Sequence, residues 1–247
     1  MSDAINSPWY DRFFQSEYLQ FDDHPDTDLE VEFMLELFTP DSDARFLDVG
    51  CGYGRHLLPI DRKGYDITGV DRSGVMLARA RGAAKKAKQD IRLVRADMRE
   101  LPFTSAFDYC ISLFSSFGYF DSEDENFQVL RSISDALFPG GRFLIETANR
   151  DFVVRHLVPT QVYRPEGMLL IEERQFSART SRSLVNVTVM QNGEETQLHH
   201  SIRLYTFTEL QMLLAAADLA PVSVWGDFHG GEYTCDSPQM IILAEKL

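Results

Sequence analysis

Hydrophobic and polar positions along the chain fall into two rhythms. In the first, short apolar runs alternate with stretches of helical spacing. Phe46-Leu47-Asp48-Val49 opens it and runs into glycines; a helix-like stretch follows to Lys63, where Gly64 stops it. Residues 67–70 form the second run, ending at Asp71, and Ser73 caps a helix reaching about Ala87. Residues 91–94 and 107–114 are the third and fourth runs, and 123–137 the next helix. Pro139-Gly140-Gly141 makes a tight turn into a fifth strand, 142–146. Near-continuous apolar strands alternating with helices predict a parallel sheet covered on both faces.

The second rhythm has period two. Residues 168–176, 183–191 and 196–205 read as strands with no helix between them. Val185, Val187 and Val189 alternate with Leu184, Asn186 and Thr188, and Asn192-Gly193 is a hairpin signal. After this antiparallel insert of two or three strands, 207–217 returns to helical spacing with Thr208 near its cap. Residues 222–225 and 240–244 complete the strands. Ahead of the sheet, 9–38 is helical in pattern, and two helices joined near Asp22-Asp23-His24-Pro25 are expected. The fold class that follows is α/β: a seven-stranded, mostly parallel, Rossmann-like sheet with helices on both faces and an antiparallel β insert after strand five. Residues 1–247 form one domain. Its parts are a helical cover (1–40), a ligand-binding core (41–150), a β lid (160–205) and a C-terminal helix with the last two strands (206–247).

Composition narrows the function classes. With 44% hydrophobic and 12% aromatic residues, the chain can bury a full core. No apolar stretch is long enough for a membrane helix, and residues 1–6 lack the pattern of a secretory signal. Cys51, Cys110 and Cys235 are too few and too scattered for a disulfide framework or a zinc site, so a cytoplasmic protein without a metal is expected. A net charge of −14 disfavours nucleic acid as a partner. The cluster Arg79, Arg81, Lys85, Lys86, Lys88, Arg92 and Arg95 reads as the solvated face of a surface helix and has no interleaved aromatics.

Candidate chemistry concentrates at the strand ends. Gly50-Cys51-Gly52-Tyr53-Gly54 lies where a strand opens into a helix, and its glycines let the backbone turn sharply against a ligand. A dinucleotide fingerprint would require glycine where Arg55 stands. Asp48 would repel a pyrophosphate but suits a ligand with a cationic amino-acid end. Asp71 follows at roughly the 20-residue offset of a ribose-binding acid. Asp97 ends the third strand, where it can accept from an adenine amino group with Met98 against the ring.

These segments resemble a known family. Leu47-Asp48-Val49-Gly50-Cys51-Gly52-Tyr53-Gly54, Thr68-Gly69-Val70-Asp71, Ala96-Asp97-Met98-Arg99 and Leu137-Phe138-Pro139-Gly140-Gly141 are similar, in order and spacing, to the motifs of class I S-adenosylmethionine (SAM)-dependent methyltransferases. The resemblance implies SAM as methyl donor, S-adenosylhomocysteine as product, and Asp48, Gly50, Cys51, Gly52, Gly54, Asp71, Arg72, Asp97, Met98 and Phe114 as cofactor-binding residues. Asp97-Met98-Arg99 and the run Leu113-Phe114-Ser115-Ser116-Phe117-Gly118-Tyr119 resemble small-molecule enzymes such as aminosugar and glycine N-methyltransferases, which also carry an insert after strand five. Methyl transfer to nitrogen or oxygen of a small molecule is therefore expected. The alternatives are methylation of RNA or protein, a SAM-binding regulatory module without turnover, and a nicotinamide-dependent oxidoreductase. Pro59 departs from the pattern by falling early in the first helix. The acceptor-side candidates are Tyr119, Tyr10, Tyr18 and His229, and the insert is a candidate homodimer surface.

Overall fold

The computed structural model describes residues 8–14, 24–164 and 167–247. Tyr18 and part of the expected joint between the first two helices lie outside them. Seven strands form the main sheet: β1 (Arg45–Val49), β2 (Asp66–Asp71), β3 (Arg92–Arg95), β4 (Phe107–Ser112), β5 (Leu137–Ala148), β10 (Leu219–Trp225) and β11 (Gln239–Lys246). Their order is β10-β11-β5-β4-β1-β2-β3. All neighbours pair in parallel except β11, which runs antiparallel to both β5 and β10.

Alternation along the strands splits the core in two. Leu47 and Val49 of β1 belong to a cluster with Leu130 and Ile133 of α5 (Glu123–Ala136) and Leu210 and Leu214 of α7 (Phe207–Ala216). Phe46 points the other way, toward Met34 and Phe38 of α2 (Thr27–Phe38), Ile60 of α3 (Leu57–Arg62) and Leu77 of α4 (Gly74–Ala87). Helices thus cover both faces.

Several boundaries differ from the sequence pattern for local reasons. β4 stops at Ser112 because Phe114 and Ser115 turn into the left-handed region, with φ of 57° and 53°. Pro139-Gly140-Gly141 is not a turn before β5 but an irregularity within it: Phe107 pairs with Leu137, Tyr109 with Arg142, and the intervening residues bulge out. Pro59 falls in the first turn of α3, where a backbone N–H has no intrahelical partner to lose. Thr206, not Thr208, caps α7; its hydroxyl accepts from the Glu209 N–H in a reciprocal capping box.

The insert has four antiparallel strands, one more than the pattern suggested: β6 (Thr160–Tyr163), β7 (Met168–Ser177), β8 (Arg182–Gln191) and β9 (Glu194–Arg203). A short α6 (Arg150–Arg155) leads into it. Val185, Val187 and Val189 are buried, as their alternation requires, while Leu184 and Met190 face outward. The buried face packs on Trp9 and Phe13 of α1 (Trp9–Phe13).

Candidate active site

The carboxyl ends of β1, β2, β3 and β4 open into a cavity of about 620 Å³, within the range of small-molecule sites. Its floor is the glycine loop. Gly50, Gly52 and Gly54 all take positive φ, at 77°, 54° and 86°. The Gly50 and Cys51 N–H groups donate to the Val70 carbonyl at 2.9 and 3.0 Å, and the Gly52 N–H donates to Asp71 Oδ2 at 2.9 Å. Asp71 Oδ1 accepts from the Ser73 N–H at 2.7 Å, so this carboxylate staples the loop to the start of α4. Burial raises the Asp71 pKa, and the N–H groups of Ser73 and Gly52 oppose that rise.

Asp48 is the electrostatic anomaly of the site. It is 3% exposed, lines the cavity, and its Oδ2 has no hydrogen-bond partner among the described residues. Burial, and then the neighbouring charge of Asp71, push its carboxyl up to about 7. A buried carboxylate left without a donor is costly unless a ligand supplies one. A ligand ammonium is such a donor.

Asp97 is arranged differently from its expected adenine contact. Arg99 donates from its backbone and Nε to Oδ1, both at 3.0 Å, while Arg72 Nη1 and Arg99 Nη2 reach Oδ2 at 2.7 Å. Burial alone would raise its pKa; these donors bring it down to about 2. Arg72 also grips Asp11 of α1 through Nε at 2.8 Å and Nη2 at 3.1 Å. The rim of the cavity is therefore a chain of ion pairs that ties α1 to the ends of β2 and β3. Nothing in the sequence pattern signalled Asp11.

The opposite wall is aromatic. Tyr119 lies within 20° of parallel to both Tyr10 and Phe14, with ring centres 6.4 and 5.7 Å apart. Burial raises the pKa of both Tyr10 and Tyr119, so the phenols stay protonated and act as neutral hydrogen-bonding groups. Phe114 faces the cavity from its left-handed turn, held by Glu146 on β5, whose carboxylate accepts from the Phe114 and Ser115 N–H groups. Burial pushes Glu146 up to about 7, with the Phe114 N–H opposing. Arg55 and His56 also line the cavity, and α2 stands behind them. Glu30 Oε2 meets His56 Nε2 at 2.5 Å and Arg55 Nη1 at 2.7 Å. Burial would raise the Glu30 pKa, but the His56 hydrogen bond and Arg55 outweigh it, so Glu30 stays ionised.

Of the predicted site residues, Asp48, Gly50, Cys51, Gly52, Asp71, Arg72, Asp97, Met98, Phe114, Tyr10 and Tyr119 converge on this cavity. Gly54 faces Leu58 and Ala80 instead, and serves the packing of the loop. His229 is apart: it is exposed on the β10–β11 loop, with its backbone N–H on Asp227, and does not line the cavity. The described residues of the insert do not line it either; among them the expected lid reaches the site through α1 and the segment after β4.

Residues 46–141 match a family described as a methyltransferase domain. The chain is 27% identical over 203 residues to the cypemycin N-terminal methyltransferase of a Streptomyces species, covering 81% of this chain and 82% of that protein. The chain contains a methyltransferase domain, and the matched segment holds the glycine loop, Asp71 and Asp97. A shorter match, 34% over 108 residues and 44% of each chain, links it to the dTDP-3-amino-3,4,6-trideoxy-α-D-glucopyranose N,N-dimethyltransferase of Streptomyces venezuelae. The fold is shared with an S-adenosylmethionine-dependent methyltransferase of Clostridium acetobutylicum, at a TM-score of 0.81 and 17% identity over 95% of this chain and 96% of that one. The residues of the cavity fit S-adenosylmethionine as a donor: Asp48 would offer its unsatisfied Oδ2 to the ammonium, Asp71 would accept from the ribose, and Met98 would give an apolar face to the adenine. SAM bound here would supply a methyl group already activated by its sulfonium.

Proposed function

We propose that the enzyme methylates nitrogen or oxygen of a small-molecule acceptor in the cytoplasm, with Tyr10 and Tyr119 on the acceptor side. The observation that carries this reading is the aromatic wall of the cavity: Tyr10, Phe14, Tyr119 and Phe120 line it, Tyr10 from α1. Such a wall aligns a small acceptor and excludes water, the main demands of an in-line displacement from an activated donor. A base is needed only when the acceptor arrives protonated. The phenols then orient the acceptor through hydrogen bonds instead of removing its proton. The basic residues of α4, Arg79, Arg81, Lys85 and Lys86, are exposed, as a solvated helix face would be. The amine-methylating relatives support nitrogen as the first acceptor to try. A homodimer through the outer face of the insert is part of this reading, since Val162, Leu184 and Met190 are exposed there.

The test is transfer of radiolabelled methyl from SAM to three pools: small amines and phenols, peptides, and total RNA. Label in the small-molecule pool alone supports the proposal. Label confined to RNA or peptide overturns it.

A further inference from the structure

The far side of the segment after β4 opens onto a second cavity, of about 500 Å³, between the β7–β8 turn and the first residues of α5 and α7. It shares no lining residue with the first cavity. Phe120 lines the one and Asp121 the other, so the backbone here is the partition between them.

The lining of this second cavity is charged. Arg150 reaches it from α6, Arg179 from the β7–β8 turn, Arg182 from β8 and Arg203 from β9. Asp121, Glu123 and Glu209 face them, which leaves an excess of positive charge in a chain whose net charge is −14. The acids are unevenly distributed. Arg203 takes both Glu123 and Glu209, each at 2.7 Å. Arg182 is 12% exposed, and its ion-pair partner Asp121 stands 3.9 Å away with its own side chain in solvent. Burial pushes the Arg182 pKa down, with Asp121 opposing.

Donors remain once the internal contacts are counted. Arg179 is exposed and has no hydrogen-bond or ion-pair partner among the described residues. Arg150 donates Nε to Ser181 Oγ at 3.0 Å and Nη1 to Asp151 at 2.9 Å, which leaves Nη2. Arg182 commits its Nε to Ser201 Oγ and its Nη groups to the carbonyls of Phe120, Tyr119 and Ser201, so one of its N–H groups is spare. Donors arriving from separate elements suit a tetrahedral anion. A phosphate presents oxygens in three directions and accepts from several guanidinium forks, whereas the two oxygens of a carboxylate are satisfied by one.

We propose that this cavity is a second ligand site, for a small molecule bearing a phosphate group, held by Arg150, Arg179 and Arg182 behind the acceptor wall. Arg182 joins the site to that wall, because the same guanidinium holds the Phe120 carbonyl at 2.9 Å and the Tyr119 carbonyl at 3.4 Å. The site is independent of which acceptor is methylated.

Inorganic pyrophosphate is the probe, titrated by calorimetry into the full-length protein at an ionic strength held constant with sodium chloride. The wild type should bind it in the millimolar range or tighter, and about tenfold more tightly than succinate, which offers carboxylates only. The double variant Arg150→Gln/Arg179→Gln should bind it about tenfold more weakly, the lower end for charge-assisted hydrogen bonds, because the charge of exposed Arg179 is screened. Saturating S-adenosylhomocysteine should leave the wild-type affinity for pyrophosphate unchanged, as two separate cavities require. A wild type that does not bind pyrophosphate overturns the proposal, and so does a loss below about threefold in a double variant whose thermal melt is intact. Competition by S-adenosylhomocysteine would place the anion in the first cavity and refute the second site. Succinate bound as tightly as pyrophosphate would refute the assignment to phosphate. If the double variant fails to fold, Arg179→Gln alone decides by the same threshold, since that side chain has no partner among the described residues to lose.

Discussion

Replacing Asp48 with asparagine should stabilise the ligand-free enzyme while disabling its cofactor site. The carboxyl is buried, its Oδ2 has no donor among the described residues, and it is pushed from 3.8 to about 7 by burial, then by Asp71. A carboxyl with a raised folded pKa binds its proton more tightly in the native state. Its favourable contribution is full below the unfolded value and is lost as pH rises through the folded one. Each pKa unit is worth about 1.4 kcal/mol. The ionised group therefore costs up to about 4 kcal/mol at pH 8 and about 2 kcal/mol at pH 5. Asparagine carries no charge, so Asp48→Asn should be more stable than wild type by those amounts, with the gap narrowing as pH falls. Urea unfolding of both proteins at pH 8 and pH 5 measures it. Binding of S-adenosylhomocysteine should meanwhile fall at least tenfold in the variant. In the wild type it should weaken below pH 7, as Asp48 gains the proton that a ligand ammonium must displace. A variant less stable than wild type at pH 8, or a stability gap independent of pH, would refute the reasoning.

Other substitutions probe the remaining walls. Asp71→Ala should weaken S-adenosylhomocysteine binding by about 1–3 kcal/mol and Asp71→Asn by less, measured by calorimetry; wild-type affinity would place the ribose acceptor elsewhere. Tyr119→Phe should lower methyl transfer to the acceptor identified in the pool assay more than it lowers S-adenosylhomocysteine affinity, and equal losses would put the hydroxyl on the cofactor side. Arg182→Met should lower stability by about 2–4 kcal/mol, because the side chain donates to the carbonyls of Phe120 at 2.9 Å, Tyr119 at 3.4 Å and Ser201 at 2.9 Å. The corresponding fall in melting temperature is about 5–15 °C for a chain of this size, and an unchanged melt would show that water replaces the guanidinium.

The parts of the molecule legible in the sequence are those with a strong local signature. Apolar runs ending in Asp48, Asp71 and Asp97 placed three strand ends at one edge of a sheet, and the glycine loop followed from its spacing. The partners those acids take were not legible, because they come from far along the chain. Asp97 belongs to a network closed by Arg72, Arg99 and, through Arg72, Asp11 of α1. Glu30 is one of several acids on an amphipathic helix, and only its place opposite Arg55 and His56 distinguishes it. His229 shows the reverse error. A histidine in a glycine-rich loop suggests chemistry, but the loop packs through Phe228 on Phe33, with ring centres 5.6 Å apart, and leaves the imidazole outside the cavity.

Alternation in the insert likewise revealed that one face is buried, but not against what. Its valines do not roof the cavity; they press on Trp9 and Phe13, whose helix presents Tyr10 to the site. A second route runs through backbone. The Arg203 N–H donates to the Gly118 carbonyl at 2.8 Å, and a side chain on Gly118 would stand 2.3 Å from the Arg203 carbonyl oxygen, so only glycine permits the approach. Gly118 precedes Tyr119, whose carbonyl also accepts from Trp9 Nε1 at 3.3 Å. The insert, α1 and the segment after β4 therefore hold one another, and Tyr119 sits where all three meet. The glycine loop is set independently, by Val70 and Asp71 of β2. Under the proposed function, methyl transfer divides along the same line: the loop built from neighbouring strands would fit a donor of fixed shape, while the acceptor wall rests on the separate β layer behind α1.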